Sequence, residues 1–295
     1  MSLLTEIFRN KARTFSLEVF PAKTPEGHAK LLETLKGLCA LKPDFISCTY
    51  GAGGGSRERT LEVVQHIESV HGIAAMAHLT CVSHTRSEMT AILDDIRGRG
   101  ISNILAMRGD PPKEQPDWKP GPEHFKYSSE LVAYIRGRYQ GDVAIGVAGF
   151  PEGHPLAADR EADARVLREK VRSGADFVIT QLFFDNKDYF DYVERLRRLG
   201  VQARVIPGVL PVTDYAALLR FCALCGATVT PEVRGIFEPL AGDPQATLKA
   251  GIAYAIRQCR ALLEGGAPGI HLYTLNRIHP TDAILGAIRP PTGSS

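Results

Sequence analysis

The sequence predicts an α/β fold: eight parallel strands alternating with helices, closed into a (β/α)8 TIM barrel in a single domain. Three observations predict it. Short apolar runs alternate along the chain with longer amphipathic helical patterns, and parallel strands need such helices as crossovers. The first four runs begin about 30 residues apart, the size of one βα unit. There are eight runs in 295 residues, a count and a length that suit one closed barrel better than an open sheet.

The elements follow in order. Leu3, Leu4, Ile7 and Phe8 have the spacing of a short amphipathic helix before the first strand. Strand Thr14–Phe20 leads into helix Pro25–Leu41, strand Asp44–Tyr50 into helix Arg57–His71, and strand Ala74–Cys81 into helix Arg86–Arg99. Strand Asn103–Arg108 precedes a long Pro-rich, charged loop, Asp110–His124, and helix Tyr127–Tyr139. Long loops in compact domains are often functional. Strands Val143–Ala148 and Phe177–Phe184 are followed by helices Ala158–Ser173 and Lys187–Leu199. Strand Arg204–Leu210 is followed by helices Asp214–Cys225 and Pro244–Glu264, with an additional helix expected within Thr228–Asp243. Strand Gly269–Leu275 completes the set. The barrel is expected to occupy residues 1–289 and residues 290–295 to be a disordered tail.

Composition narrows the class of protein. Hydrophobic residues are 44% and charged residues 23% of the chain, which excludes a disordered or collagen-like polymer. The net charge of +2 argues against a dedicated nucleic-acid binder. No apolar run approaches the roughly 18 residues of a membrane span, and the N-terminus lacks the apolar stretch of a signal peptide. The six cysteines lie in apolar contexts and read as reduced thiols, so a cytoplasmic protein is expected.

A barrel places its chemistry at the C-terminal ends of its strands and in the loops that follow. Glu18 stands there among apolar residues. It is either a structural glutamate paired with a lysine or arginine or a proton donor with a raised pKa. The loop Gly51–Ser56 is glycine-rich, yet it has neither the Lys-Ser/Thr of a phosphate loop nor the spacing of a dinucleotide fingerprint. Close approach to a ligand is the reading it supports. His78 is a lone strand histidine without partners at metal-ligand spacing. Arg108-Gly109-Asp110 puts a cation, a permissive backbone and a carboxylate at one strand end, either as a ligand grip or as a salt-bridged turn. Glu152 and His154 lie in a proline-stiffened loop and could bind a ligand or each other. Asp163 and Lys170 lie on a helix, where charges are usually solvated. Gln181 is a neutral amide in an apolar strand, and Asp185 is an expected helix N-cap. Cys222 and Cys225 form a single CxxC that reads as buried small side chains. No metal site is expected.

The strand-end set resembles the bacterial-type methylenetetrahydrofolate reductases. The resemblance rests on Phe15-Ser-Leu-Glu-Val-Phe-Pro21, Thr49-Tyr-Gly-Ala52 with Arg57-Glu-Arg-Thr60, Ala77-His-Leu-Thr-Cys81 and Arg108-Gly-Asp110. It continues through Pro151-Glu-Gly-His-Pro155, Ile179-Thr-Gln-Leu-Phe-Phe-Asp185, Ile206-Pro-Gly-Val-Leu-Pro211 and His271-Leu-Tyr-Thr-Leu-Asn276, in family order over roughly residues 10–288. It implies a non-covalent FAD that NAD(P)H (NADH or NADPH) reduces, and that then reduces 5,10-methylenetetrahydrofolate to 5-methyltetrahydrofolate in a ping-pong reaction, feeding methionine synthesis and one-carbon metabolism. By the same resemblance Glu18 matches the proton donor to folate and Asp110 a carboxylate between flavin and pterin. Tyr50, Ala52, His78, Arg108, Gly109, Asp110, Tyr127, Ser128, Phe150, His154, Asp163 and Lys170 match cofactor contacts. Thr49 matches a nicotinamide-side contact, Gln181 a residue shared by folate and NAD(P)H, Phe221 an aromatic over the substrate, and Arg277 a partner for the acidic tail of folate. The family is often oligomeric, which implies a homo-oligomer. There are departures. Phe150 stands where a tyrosine is common, Ala217 where some members place a substrate-binding glutamine, and Glu169 beside Lys170 where some have arginine.

Two other classes compete. A barrel lyase or aldolase would need a lysine at a strand end, and none of the eight strands contains one. A binding protein without turnover would keep the barrel and its ligand but lose reduction.

Overall fold

The computed structural model describes residues 2–50, 57–112 and 115–290. Helix α1 (Leu4–Asn10) precedes β1 (Thr14–Val19) and α2 (Pro25–Ala40). Then come β2 (Phe45–Cys48), α3 (Arg57–His71), β3 (Ala74–Thr80), α4 (Arg86–Gly98), β4 (Asn103–Met107), α5 (Ser128–Tyr139), β5 (Ala144–Gly149), α6 (Arg160–Arg172), β6 (Phe177–Thr180) and α7 (Asn186–Arg198). The chain ends in β7 (Arg204–Ile206), β8 (Gly208–Val209), α8 (Tyr215–Cys225), α9 (Pro231–Phe237), α10 (Pro244–Glu264), β9 (Gly269–Tyr273) and α11 (Ile278–Ile288). The strands form one parallel sheet in the order β7-β6-β5-β4-β3-β2-β1-β9-β8.

The predicted seventh strand is split. Pro207 lacks the N–H that a strand interior donates, so the run breaks into β7 and β8. The break is bridged rather than open. The Pro207 carbonyl accepts the His271 N–H at 3.0 Å, and the Gly208 N–H donates to Thr180 Oγ1 at 2.9 Å. β7 pairs with β6 and β8 with β9, so the two halves together close the ring.

Strand period two divides the side chains between two compartments. Leu17, Val19, Ile46, Ala77, Leu79, Ile104, Val147, Val178 and Leu272 face outward into one apolar shell shared with the helices. Phe45, Met76, Leu105, Phe177 and Ile206 face inward and fill the floor of the barrel. Helix α1 plugs that floor: Leu4 is fully buried, and Leu3, Ile7 and Phe8 pack beside it. Phe8 meets Phe177 edge-on at 5.0 Å. The Leu4 N–H donates to Asn103 Oδ1 at 2.9 Å, and Asn103 in turn donates to the Ala75 carbonyl at 3.0 Å.

Two further expectations need correction. The predicted strand Phe177–Phe184 ends at Thr180. Beyond it, side chains of α10 take the carbonyls that a ladder would use: Gln258 Nε2 donates to Phe183 and the Tyr254 hydroxyl to Phe184. The strict alternation of eight strands with eight helices also fails. Three helices, α8 to α10, lie between β8 and β9, and α11, which is not among the expected helices, follows β9. The extra helix expected within Thr228–Asp243 is α9, and Asp185 N-caps α7 as expected.

Candidate active site

The centre of the barrel carries a polar layer between its apolar floor and its C-terminal mouth. In register, Ser16 of β1 lies beside His271 of β9, and Glu18 lies beside both Tyr273 of β9 and Ser47 of β2. Glu18 is 6% exposed, His78 5% and His271 0%, so this carboxyl and two imidazoles share a nearly dry space. Glu18 Oε2 lies 3.2 Å from His271 Nε2 and 3.5 Å from His78 Nε2. Ser16 Oγ is 2.8 Å from His271 Nδ1. His78 Nε2 makes no hydrogen bond among the described residues, and burial holds its imidazole below the usual range, against the opposing pull of Glu18. Burial, reinforced by the Glu18 carboxylate, pushes the Cys48 thiol and the Tyr273 hydroxyl far up. Tyr273 instead donates to the Thr180 carbonyl at 2.7 Å.

The backbone around Glu18 is pinned at the mouth. Thr274 Oγ1 donates to the Glu18 carbonyl at 2.7 Å. Asn276, at φ +57°, accepts from the Phe20 N–H and donates to the Phe20 carbonyl, both at 2.9 Å. An amide side chain thus extends the ladder where β9 has ended.

A second group lies over β4 and β5. Arg108 and Gly109 follow β4, and Gly109 has φ +83° with a hypothetical Cβ only 2.7 Å from Val82 Cγ1. Glycine is required there both by the torsion and by the close approach. Phe150 follows β5 and meets His154 edge-on at 4.6 Å. Lys170 of α6 reaches back to donate to the Ala148 carbonyl at 3.1 Å. Burial lowers the Lys170 ammonium to about 8, with buried Asp163 opposing and Arg108 assisting. Burial, Lys170 and Arg108 all lower His154, and Asp110 opposes them. Arg108, Asp110, His154, Asp163 and Lys170 therefore act on one another as a single electrostatic cluster. The helix reading of Asp163 and Lys170 as solvated charges is corrected: Asp163 is buried and Lys170 partly so.

The remaining predicted residues are spread over several elements. Thr49 and Tyr50 follow β2, half-buried, and burial raises the Tyr50 hydroxyl against the pull of Arg57. Ala52 lies outside the described residues, as does the glycine-rich loop around it. Gln181 follows β6. Its N–H donates to the Gly149 carbonyl at 2.7 Å, and its Oε1 accepts from the Leu182 N–H at 2.9 Å. Gln181 and Phe150 line one small cleft with Leu182, Cys225 and Gly226. Phe221 of α8 packs with the side cluster of Leu182, Phe184 and Tyr215 rather than with Glu18. Ser128 is buried at the start of α5, Tyr127 before it is half exposed, and Asp110 and Arg277 are exposed on the rim. Glu152 and His154 do not bind each other among the described residues. Glu152 accepts from the Thr228 N–H at 3.0 Å, and His154 Nδ1 from the Leu156 N–H at 3.1 Å. Cys222 is buried and raised to about 12, and Cys225 is also raised by burial.

Ser16, His271 and Tyr273 were not predicted as site residues. The signal was present: Ser16 shares a strand face with Glu18, and His271 and Tyr273 alternate in the same way on the last strand. What the sequence does not encode locally is that the first and last strands are neighbours.

The fold and the site define a parallel α/β barrel with a buried carboxyl at the end of β1 and a cluster of mixed charge over β4 and β5. Comparison with known proteins gives the family. The family model for methylenetetrahydrofolate reductase matches residues 3–289, and the chain belongs to this family. It is 35% identical over 272 residues to 5,10-methylenetetrahydrofolate reductase of Escherichia coli, covering 91% of this chain and 88% of that protein. It is also 35% identical over 271 residues to methylenetetrahydrofolate reductase (NADH) 1 of Arabidopsis thaliana, covering 89% of this chain. The chain spans only 46% of the length of that plant protein. Among solved structures, a Clostridium thermocellum protein described as binding two copies of 5-methyl-5,6,7,8-tetrahydrofolic acid superposes with a TM-score of 0.66 at 14% identity, covering 97% of this chain and 98% of its own, a likeness of fold.

Proposed function

We propose that this protein is a flavin-dependent reductase of 5,10-methylenetetrahydrofolate, with NAD(P)H as electron donor and Glu18 as the proton donor to folate. The observation that carries the reading is the nearly dry Glu18 carboxyl at the C-terminal end of β1, in a chain of the methylenetetrahydrofolate reductase family. The relatives named for NADH support a nicotinamide donor.

The residues present fit an FAD. The diphosphate of such a cofactor needs cations and a close backbone approach. Arg108 and Lys170 supply the first and Gly109 the second, with the partly buried His154, kept neutral by its surroundings, as a hydrogen-bonding group beside them. Phe150 offers an aromatic surface beside them, and Thr49 and Tyr50 close the opposite side of the mouth. The chemistry that a bound FAD supplies is carriage of a hydride from NAD(P)H to folate in two alternating half-reactions. Glu18 protonates the folate so that its methylene bridge opens to an electrophilic iminium. The Asp110 carboxyl group, at the end of the strand beside Arg108, would face such a cofactor and disfavour the build-up of negative charge on it. Gln181 can donate and accept, so one amide serves the nicotinamide and the pterin in turn. Arg277, exposed on the rim, pairs with the acidic tail of folate.

Glu18→Gln keeps the size of the side chain and removes the acid. The variant is expected to accept electrons from NAD(P)H while losing folate reduction by about 10²–10⁴-fold, the worth of a general acid. Wild-type folate reduction by this variant would overturn the acid role.

A further inference from the structure

Beneath Glu18 lies a pair of side chains to which the reaction as stated gives no task. His271 is fully buried, its ring stacked 6.0 Å from Phe45 and edge-on to Tyr273 at 5.5 Å, so the plane of the imidazole is fixed. One nitrogen faces Ser16 Oγ at 2.8 Å and the other faces Glu18 Oε2 at 3.2 Å. Among the described residues the Ser16 hydroxyl has one other acceptor within reach, the Ile270 carbonyl, and at 3.5 Å that contact is too long to hold the proton. The hydroxyl therefore donates to His271 Nδ1, which leaves the imidazole proton on Nε2, pointed at Glu18. His78 also approaches Oε2, at 3.5 Å. Among the described residues both contacts of the carboxyl fall on Oε2, and none falls on Oε1.

We propose that Ser16 and His271 are positioning residues that direct the acid proton of Glu18. Ser16 fixes His271 as the Nε2–H tautomer. His271 then donates to Oε2, which can act only as an acceptor, and the carboxyl proton resides on Oε1, the oxygen left for the substrate. When that proton passes to folate, the O–H bond at Oε1 breaks, its electron pair stays on the carboxylate, and the His271 N–H bond to Oε2 strengthens against the new negative charge. The other titratable groups near the carboxyl, His78 on β3, Cys48 on β2 and Tyr273 on β9, remain neutral throughout. The inference rests on Glu18 being the acid.

The test uses the holoenzyme and follows the two half-reactions separately, with Glu18→Gln in parallel. A glutamine amide can place a donor where Nε2 stands, whereas the shorter asparagine amide stands nearer Nδ1. His271→Gln is therefore expected to retain folate reduction within a few-fold, and His271→Asn to lose about 10–100-fold. In His271→Asn the carboxylate has lost a donor, so the pH at which folate reduction falls should move up by about one unit. A merely structural role would slow both variants alike and leave that pH in place, and this result would overturn the inference. If Glu18→Gln reduces folate normally, the acid reading itself fails, and the two failures are distinct. Nitrogen-15 NMR of the histidine-labelled wild-type protein gives a readout without turnover. His271 is expected as the neutral Nε2–H tautomer and, in Ser16→Ala, as a mixture. An Nδ1–H or charged His271 in the wild type overturns the inference even if the His271 variants fail to fold.

Discussion

Lys170 shows how one residue couples stability and binding with opposite signs. Burial brings its ammonium to about 8 from the ordinary 10.5, so the folded protein releases a proton that the unfolded chain still holds. The unfolded state then binds more protons between those two values, and the contribution of Lys170 to stability rises with pH across that window. A phosphate-bearing cofactor needs the proton instead. FAD affinity, read by quenching of flavin fluorescence, is expected to fall as pH rises through about 8, and Lys170→Met to weaken binding about 10–100-fold and flatten that dependence. A wild-type affinity that stays constant through this range would remove Lys170 from the cofactor site. Little of this was legible in the sequence. Lys170 and Asp163 sit on a charged helix where solvation is the common outcome, and only the packing of α6 over β5 draws them inward. Glu18 was more legible, because a carboxyl amid Phe15, Leu17 and Val19 must find a partner or a proton. Its partner His271 was not, since 253 residues separate them.

Elements were legible where periodicity was strong and failed where a side chain replaced the ladder. Pro207 divides a strand whose apolar pattern is unbroken, and Gln258 and Tyr254 capture carbonyls that a longer β6 would have used. Asn276 is a third such replacement, with a stability prediction attached. Asn276→Ala removes both bonds to Phe20 and places a Cβ residue without a polar side chain at positive φ, whereas Asn276→Gly removes only the bonds. The alanine variant is expected to cost about 1–3 kcal/mol and more than the glycine variant, measured by denaturant unfolding. Equal costs would mean that the torsion at this position is unstrained. Helix α1 is tested similarly. Leu4→Ala empties a fully buried site in the barrel floor and should cost about 2–5 kcal/mol, with little change in KM because the floor lies at the far end from the mouth.

At the scale of the whole molecule, the closed parallel barrel brings the ends of its strands to one mouth, and Glu18, Thr49, Tyr50, Arg108, Phe150 and Gln181, far apart in the chain, all stand at or just after strand ends there. The alternation of apolar runs and amphipathic helices sufficed to predict that architecture. It did not reveal that α11 follows the last strand, since α8 and α10 together made up the expected count. Among the described residues no helix is long and apolar enough to cross a membrane. The central claim is that this mouth holds a flavin that is reduced by a nicotinamide and reoxidised by a folate. The most direct test is the visible absorption spectrum of the purified protein, reconstituted with FAD and kept anaerobic, through successive additions of NADH and methylenetetrahydrofolate. The flavin band is predicted to bleach with NADH and to return with the folate. A protein that stays colourless after incubation with FAD, or a band that neither addition changes, would contradict the account.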